Sequence, residues 1–490
     1  MNRHFAHPMS RIASVAFLIA TCLPASGLDQ KDISFSGLGW VQYGSVVHST
    51  DTANFNFNGN STQASGSQIS LLAKVSEKFE GAAGLGVLEN HFLAGNTGLA
   101  SRVPMTMSPY IAEARFTYTF LDGEKSKLKL TGGLFPYNYN SDVKNLGLYL
   151  LRGPVYPGIL ISGFETKHVL PIANMSGFRL QHQNGIFEEN LILNSETEFF
   201  PLFDLSLAYI ANIRWGQSFE IGGGVNFHRL VPIESKLTSP NRMSPDGKDI
   251  EPGDEAHPNR RVWTHVDTTG MGAGGPGDTT YLSFKGTKVM AKAAMDPKVW
   301  VGGIEVLGKE DLKVYAEVAI IGLNNSKAYR EIYGEYKNRM PVLVGMNLPV
   351  FKLLDHLSLE VEYYGAKFRD DLMRYQQSLA YYESPLPVSN SDLGRSKVRI
   401  GNPNVPGDSL DVMVGTTIPF DDVNVEKPLR KDDFKWSLHG SKVIQGHFNV
   451  SFQIANDHFR PGGVTERERF VAILSTPKDW YWMTKVAYFF

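Results

Sequence analysis

Side chains that alternate between apolar and polar at every second residue constrain this chain more than any other feature of its sequence. In residues 110–120, apolar and aromatic side chains occupy the even positions and mostly polar ones the odd positions. The same period recurs in residues 357–364 and 447–454. A period of two is typical of a β-strand with two different faces. No segment after residue 27 shows helical periodicity as clearly, so the chain is predicted to be all-β.

Two kinds of connection separate the alternating segments. Some are short turn sequences, such as Asn184-Gly185 and Asp122-Gly123, which favour tight hairpins. Others are long and rich in Gly, Pro and Asn, and they cover residues 48–65, 140–174, 230–279, 324–339 and 369–407. Short turns on one rim and long loops on the other are typical of a transmembrane antiparallel β-barrel. We therefore predict one barrel of about 18 strands, within a range of roughly 16 to 20.

The individual strand assignment contains one conflict. Strand patterning is found in residues 33–47, 66–79, 82–94, 108–121, 126–139, 159–167, 175–184, 186–197, 203–215, 218–229, 280–295, 299–308, 312–323, 340–350, 355–368, 408–419, 434–444, 446–457, 467–475 and 480–490. If all of these cross the membrane in strict alternation, the long loop 230–279 falls on the rim that should carry short turns. Treating 159–167 as part of a loop corrects this but leaves an odd number of strands. The topology is therefore left open.

The N-terminus predicts export. Arg3 and Arg11 precede an apolar run at residues 12–23, and small residues lead to a cleavage position after Gly27. This pattern is that of a secretory signal peptide at 1–27, which leaves 28–490 as the mature barrel. An alternative makes Cys22 the lipidated first residue of a lipoprotein. If cleavage follows Gly27, the single cysteine is removed, and the mature chain has no disulfide and no thiolate metal site.

Composition excludes several other classes. A mean hydropathy of -0.19 and the lack of a second apolar run approaching 18 residues argue against membrane-spanning helices. With 48 Lys plus Arg against 50 Asp plus Glu, nothing indicates a nucleic-acid partner. A secreted β-sandwich remains as an alternative, but it explains the many aromatic residues at strand ends less well than a barrel does.

The last strand gives the most specific signal. Residues 480–490 alternate strictly, and the chain ends on Phe490, preceded at every second position by Tyr488, Val486, Thr484 and Trp482. At this point the sequence resembles bacterial outer-membrane β-barrel proteins of the porin type. The resemblance implies that Trp482, Val486, Tyr488 and Phe490 form the signal read by the barrel-assembly machinery. It also implies a location in the outer membrane of a Gram-negative bacterium, contact with lipid and lipopolysaccharide, and a homotrimer as one oligomeric option.

Charged side chains on alternating strands are predicted to face a water-filled lumen, because lipid would not tolerate them. The predicted wall residues are Glu113, Arg115, Lys127, Lys129, Glu360 and Glu362. The loop 140–174 is unusually apolar at 145–151 and is flanked by charges. It is expected either to fold into the barrel or to cover its mouth. If it folds inward, Asp142, Lys144, Arg152, Glu165 and Lys167 are the candidate pore constriction.

The predicted function is passive diffusion of small hydrophilic solutes or ions through an outer-membrane pore. Two alternatives stay open. In a channel for hydrophobic substrates, Leu148, Tyr149, Leu150, Leu151 and Tyr156 would form an apolar binding site. In a non-conducting barrel with a structural or surface-binding role, loops 230–279 and 369–407 would be the contact regions.

No enzyme, cofactor or metal site is predicted. The sequence has no Gly-x-Ser-x-Gly and no His-Glu-x-x-His motif. The glycines of 270–275 have dinucleotide-fingerprint spacing, but they lie in a polar loop rather than between a strand and a helix. The acidic residues of 246–255 lack the spacing of a calcium loop and are better explained as a solvated surface.

Overall fold

The structure is a computed structural model, and it describes a large part of the chain. The described residues are 32–49, 58–59, 61–93, 106–151, 173–195, 205–216, 218–231, 264–266, 279–281, 286–300, 305–323, 336–363, 396–400, 410–414, 434–457 and 477–490. All structural statements concern these residues. No helix among them is long and apolar enough to cross a membrane.

Sixteen antiparallel strands form a closed barrel, which confirms the predicted fold class. In barrel order they are β1 (Ile33–His48), β2 (Ser61–Lys74), β3 (Phe79–Leu93), β4 (Thr106–Asp122), β5 (Ser126–Tyr137), β6 (Ala173–Asn184), β7 (Phe187–Ser195), β8 (Leu205–Trp215), β9 (Phe219–Val231), β12 (Gly286–Met295), β13 (Val314–Ile320), β14 (Val342–Asn347), β15 (His356–Tyr363), β18 (Phe434–Ile444), β19 (Phe448–Asn456) and β20 (Trp480–Phe489). Two further ribbons stand outside this sheet, namely β10 (Thr264–Val266) with β11 (Thr279–Tyr281) and β16 (Ser396–Ile400) with β17 (Leu410–Val414).

The barrel is apolar outside and largely polar inside. On β15, Ser358, Glu360 and Glu362 are buried, whereas Leu359 and Tyr363 between and beside them are exposed. The same division runs around the sheet, so that most of the large exposed apolar side chains share the outer face. A soluble protein buries its apolar faces, whereas a membrane barrel exposes them to lipid. The apolar outer face and polar inner face seen here match the pattern of a membrane barrel.

The first and last strands close the barrel. β1 pairs with β20 from Leu38 opposite Phe489 to His48 opposite Trp480. Phe490 extends the pairing, because its N–H donates to the Gly37 carbonyl over 3.0 Å and its carbonyl accepts from the Gly37 N–H over 2.7 Å. A Cβ on Gly37 would lie 2.0 Å from the Phe490 ring, so the ring can cover this position only because it is glycine.

The two rims differ as predicted. Connections at 75–78, 123–125, 185–186, 216–218 and 445–447 are short and lie on one rim, where β1 begins and β20 ends. β5 pairs directly with β6, so no strand at 159–167 is needed in the wall between them. The ends of β9 and β12 joined by 232–285 therefore lie on the opposite, long-loop rim, which resolves the conflict in the strand alternation.

Two predicted strands are wrong as barrel strands. In place of a strand at 299–308, a 3-10 helix occupies Pro297–Trp300 and turns occupy 305–312. The buried carboxylate of Asp311 organises these turns, because its Oδ2 accepts from the backbone N–H of Gly308 at 2.8 Å and of Phe351 at 3.2 Å. Within 408–419, β17 pairs with β16 outside the barrel. The predicted strands 159–167 and 467–475 lie outside the described residues.

A β-bulge changes one predicted face. Between Gly84 and Leu85 of β3, the pairing on β4 skips Ala112. Tyr110 and Ala112 therefore point inward together with Glu113 and Arg115, rather than outward with Phe116 as strict alternation predicted. An extra residue in one strand shifts the alternation by one position.

Candidate functional site

The segment 138–151 lies inside the barrel. It follows β5, and its residues bond to inward-facing groups of strands far around the wall. Asn226 of β9 donates to the Leu150 carbonyl over 2.9 Å, and Asn145 donates to Ser437 of β18 over 3.1 Å. A segment that reaches the inner faces of such distant strands must cross the interior.

Glu360 is the first anchor of this segment. Its carboxylate accepts the consecutive backbone N–H groups of Lys144, Asn145 and Leu146, at 2.5, 2.9 and 2.8 Å. The Tyr315 hydroxyl donates to the same carboxylate over 2.8 Å. Glu360 is fully buried. Hydrogen bonds to an ionised acceptor are stronger than neutral ones, so this contact fixes the middle of the segment against β15.

Glu317 of β13 is the second anchor. Its carboxylate accepts from the Tyr139 hydroxyl at 2.5 Å, the Asn140 side-chain amide at 3.0 Å and the Tyr149 backbone N–H at 2.9 Å. Glu362 adds a third contact by accepting from the Tyr149 hydroxyl over 3.1 Å. The carboxylates thus hold both ends of the segment as well as its middle.

A fourth carboxylate holds Asn145 from the other side. The Asn145 amide donates to Asp457 over 2.7 Å, and the Tyr481 hydroxyl donates to the same carboxylate over 2.8 Å. All three side chains are buried. Asn145 therefore links the segment to the inner face near β19 and β20.

The backbone turns sharply before residue 149. Gly147 and Leu148 have φ angles of 79° and 58°, in the left-handed region that glycine enters easily and leucine does not. The turn directs Leu148 into an apolar cluster and begins the 3-10 helix Tyr149–Leu151. Burial of the leucine side chain offsets the backbone strain.

The inner face of β5–β14 is apolar where the segment covers it. The cluster consists of Phe135, Tyr137, Tyr139, Val143, Leu146, Leu148, Tyr149, Leu150, Met175, Ile192, Ala208, Ile210, Met290, Ala294, Tyr315, Ala319, Ile321 and Leu343. Apolar side chains facing an open aqueous channel would lose the hydrophobic contribution that this packing provides. The segment is therefore part of a packed interior rather than a loosely hanging loop.

The charged groups of the segment lie beside Lys313, just before β13. Asp142 is buried and forms an ion pair with Lys313. Burial acts to lower the pKa of Lys313, but its ion pair and hydrogen bond with Asp142, together with the charges of Glu310 and Glu220, outweigh burial, so the pKa is raised. Burial also lowers the pKa of the Lys144 amine, and there the nearby carboxylates do not fully compensate. Lys144 Nζ donates to the Ser141 carbonyl over 2.9 Å.

Two of the five candidate constriction residues, Asp142 and Lys144, are thus placed on the segment inside the barrel. Arg152, Glu165 and Lys167 lie outside the described residues. Of the predicted wall residues, Glu360 and Glu362 face inward, where the segment covers them and shields them from water.

The other four predicted wall residues lie on β4 and β5. Arg115 Nε bonds to Glu113 over 3.1 Å, and Arg115 Nη1 reaches Glu80 over 3.3 Å. Lys129 is opposite Thr119 and Gln181 on the polar face. Lys127 lies near the short-turn rim, where it pairs with the exposed Asp122 at 3.4 Å.

The sequence reasoning missed a chain of alternating charges across β7, β8, β9 and β12. Lys292 Nζ bonds to Glu220 Oε1 over 2.5 Å, and Glu220 Oε2 accepts from Arg214 Nε over 2.8 Å. Arg214 Nη1 continues to Glu188 over 3.3 Å. Each of these residues occupies a polar position of an alternating strand, so the alternation in the sequence could have identified them as inward-facing. Each charge has an opposite neighbour, so this wall is polar without a strong field of one sign.

The residues of the predicted assembly signal share the outer face of β20. Trp482 lies 5.7 Å from Tyr43 between ring centroids, and Tyr488 stacks on Phe490 at 5.8 Å. Val486 is exposed between them. Their placement does not test recognition by assembly factors, which stays a prediction.

Among the described residues, no group of three or more His, Cys, Asp or Glu side chains is arranged to hold a metal ion.

No protein-family model and no curated protein matches the chain. Solved structures similar to it include a mutant of Rh. blastica porin, with a TM-score of 0.40 and 8% identity over 94% of this chain and 100% of that one. Salmonella typhi OmpF in complex with daunomycin gives a TM-score of 0.39 and 9% identity over 94% of this chain and 97% of that one. These values are low, so the assignment of a porin-like barrel fold rests on the strand pairing described above.

Proposed function

We propose that this chain forms a pore in a bacterial outer membrane, after removal of residues 1–27, and passes small hydrophilic solutes or ions by diffusion without a chemical step. The observation that carries the proposal is a closed barrel with an apolar outer surface, a polar inner wall and one segment anchored inside it. A barrel of about 16 strands is wide enough for an aqueous channel.

The segment 138–151 would set the width of that channel. Its anchors are buried carboxylates, and its apolar side chains belong to a packed cluster. We propose that Asp142, Lys144 and Lys313 border the narrow part, and that Arg152, Glu165 and Lys167 complete it. A fixed obstruction of this kind selects solutes by size and by local charge.

The geometry supports the diffusion pore over the hydrophobic-substrate channel. Leu148, Tyr149 and Leu150, which would form the apolar binding site, are each at most 6% exposed and pack into the interior cluster. They therefore offer little surface to a passing solute. In the alternative surface-binding role, loops 230–279 and 369–407 would bind a partner and the barrel would not conduct. The conductance experiment below distinguishes this role from a pore.

Planar-bilayer recording of refolded residues 28–490 tests the proposal. We expect steady current steps on the order of a nanosiemens, as an open aqueous channel would give. Heat-modifiable gel mobility is the control for barrel formation. A folded barrel that passes no current would overturn the pore and favour a surface-binding or structural role.

We also propose that copies of the chain associate through the outer face of β1–β3. There the apolar surface is interrupted by Ser61, Gln63, Ser65 and Ser67 of β2 and by Glu89 of β3. Ser65 donates to Glu89 over 2.7 Å. A charged residue facing hydrocarbon is costly, and small residues permit close packing between membrane segments. A homo-oligomer, such as a trimer, would remove these groups from lipid.

Replacing Gly39 by Trp should disrupt this association. Gly39 lies on the outer face of β1 opposite Ser67, and no atom lies within 4 Å of a Cβ added there. The barrel should tolerate the ring, whereas an adjoining copy would meet it. We expect light scattering in detergent to show a shift from oligomer to monomer. Gly223→Trp, on the outer face of β9, is the matched control, and an equal shift with both variants would contradict the proposed contact.

A further inference from the structure

A row of polar side chains crosses the outer face of the barrel on β5–β8, close to the short-turn rim. It consists of Ser126, His182, Glu189 and Tyr209, each bonded to the next. Most other outward side chains of these strands are apolar, and the exposed ones include Phe178, Leu180, Leu191 and Leu193. The row therefore lies on the surface that meets lipid, on the opposite side of the wall from the lumen.

The polar atoms of this row are spaced like a nucleophile, a base and a carboxylate that orients the base. Ser126 Oγ lies 3.3 Å from His182 Nε2, and His182 Nδ1 lies 2.8 Å from Glu189 Oε1. The two ring nitrogens thus face the same two kinds of partner as in a serine hydrolase triad. Catalytic hydrogen bonds of this length are common where no substrate is bound. The Tyr209 hydroxyl donates to the other Glu189 oxygen over 2.6 Å and holds the carboxylate in place.

Strand pairing brings these side chains together. His182 lies directly opposite Glu189 in the pair of β6 with β7. Ser126 lies diagonally from His182, because its own partner on β6 is Asn184. Ser126 and His182 are 56 residues apart in sequence, so a search for local motifs found no enzymatic site. A triad is recognised by its geometry and not by sequence spacing.

The row lies at the depth where membrane lipids have their ester bonds. Ser126 is the first residue of β5, and His182 and Glu189 are each the third residue from the turn between β6 and β7. At about 3.3 Å per residue, all three lie within about 10 Å of the short-turn rim. Trp215, which is exposed at the end of β8 on the same rim, is typical of the membrane interface. Acyl esters of phospholipids lie at this boundary between hydrocarbon and head groups.

We propose that Ser126, His182 and Glu189 form a hydrolase site on the outer face of the barrel, which cleaves an acyl ester of a membrane phospholipid. This activity is additional to the proposed pore and does not depend on conduction through the lumen. Lipid reaches the site by lateral diffusion along the outer surface, so no pocket is needed to deliver it.

The reaction consumes one water molecule. Ser126 Oγ attacks the ester carbonyl carbon, and its proton passes to His182 Nε2. As the ester C–O bond breaks, His182 gives that proton to the departing glycerol oxygen, and the acyl chain stays on Ser126. Water then attacks the acyl-serine, gives a proton to His182 and releases the fatty acid, after which the proton returns to Ser126. The products are a fatty acid and a lysophospholipid.

Asn184 is the candidate donor to the carbonyl oxygen as it becomes negative. It is exposed, lies directly opposite Ser126 and shares its face of the sheet. Side chains directly opposite each other have Cβ atoms about 5 Å apart, so an amide N–H of Asn184 can reach an ester held at Ser126 Oγ. Removing one such donor costs about 10²–10³-fold in kcat, and Asn184→Ala should show a loss of this size.

The test uses the mature chain, residues 28–490, folded into vesicles of phosphatidylethanolamine and phosphatidylglycerol. We expect mass spectrometry to detect fatty acid and lysophospholipid, formed faster than in vesicles without protein. A fluorophosphonate probe, which bonds covalently to activated serines, should label Ser126. p-Nitrophenyl acetate is the soluble ester for comparison. Absence of the two lipid products, or hydrolysis of the soluble ester alone, would overturn the proposal.

Two variants remove the reacting groups. Ser126→Ala should lower product release to the level of protein-free vesicles, and His182→Ala should lower it by about 10²–10⁴-fold. Ser176→Ala, at another serine on the outer face of β6, is the matched control and should change nothing. Heat-modifiable mobility identifies the variants that fold. Product release retained in folded Ser126→Ala would show that this serine is not the nucleophile.

Glu189→Gln tests the positioning role of the carboxylate. The glutamine oxygen still accepts from Tyr209, but its amide donates to His182 Nδ1 and so places the ring proton on Nε2. That nitrogen can then no longer take the proton of Ser126. We expect kcat to fall by about 10⁴-fold with little change in KM. A change in KM with kcat retained would contradict this role.

The hydrolase and the pore can fail separately. Ser126→Ala should leave the single-channel conductance unchanged, because Ser126 faces away from the lumen. A conducting barrel that releases no fatty acid retains the pore and loses the hydrolase. A barrel that hydrolyses lipid but passes no current loses the pore and retains the hydrolase.

Discussion

Replacing Glu360 by Ala is expected to release the segment 138–151 from the wall and raise the single-channel conductance. The variant leaves the backbone N–H groups of Lys144, Asn145 and Leu146, and the Tyr315 hydroxyl, without their acceptor. Each unpaired buried group costs about 1–3 kcal/mol, and relaxation recovers part of it. We expect the free energy of unfolding to fall by about 3–5 kcal/mol.

Planar-bilayer recording measures the conductance, and urea unfolding in lipid vesicles measures the stability. Glu360→Gln keeps one carbonyl acceptor and the volume of the side chain, so it should have a smaller effect on both. Glu113→Ala is the matched control, because Glu113 faces the same lumen but bonds to Arg115 rather than to the segment. Loss of stability in Glu360→Ala with unchanged conductance would show that this carboxylate does not hold the obstruction in place.

Tyr149→Ala is the second substitution expected to have a large effect. Tyr149 is 1% exposed and packs in the interior cluster, and its hydroxyl donates to Glu362. Removing a buried aromatic ring from a packed site costs about 3–5 kcal/mol. We expect that loss in urea unfolding, together with a higher and noisier current.

Tyr149→Phe separates the ring from its hydroxyl. It keeps the packing and loses one hydrogen bond, so the free energy of unfolding should fall by about 1 kcal/mol with little change in current. Tyr363→Ala removes a half-exposed ring from the outer face and is the control for tyrosine truncation. If Tyr149→Ala is no less stable than Tyr363→Ala, the interior cluster does not contribute as its burial indicates.

The sequence predicted the barrel because each strand has polar side chains on one face and apolar side chains on the other, and this alternation is local. Alternation in residues 447–454 is visible without any knowledge of the neighbouring strands, and all sixteen barrel strands were found within a few residues. Where prediction failed, a distant contact was responsible. Residues 299–308 looked like a strand, but in the described part of this region a 3-10 helix ends at Trp300, and Asp311 accepts hydrogen bonds from Gly308 and from the distant Phe351.

The candidate site was less accessible to sequence reasoning. An apolar stretch at 145–151 suggested a segment that folds inward, but it did not show which wall residues receive it. Glu360 and Glu362 looked like water-facing charges, since any carboxylate on a polar face has the same local pattern. Their partners, from Lys144 to Tyr149, are more than 200 residues away in sequence. The bulge at Ala112, which turns Tyr110 inward, likewise has no local signature.

Closure of the barrel by its first and last strands determines the order in which the molecule can fold. Leu38 and Phe489 are paired neighbours, although almost the whole chain separates them in sequence. Such distant pairing carries a high entropic cost and forms late. Until β20 has been synthesised and has paired with β1, the unpaired side of β1 is an open sheet edge. The exposed edge of β1 is therefore open to pairing with another copy until β20 covers it.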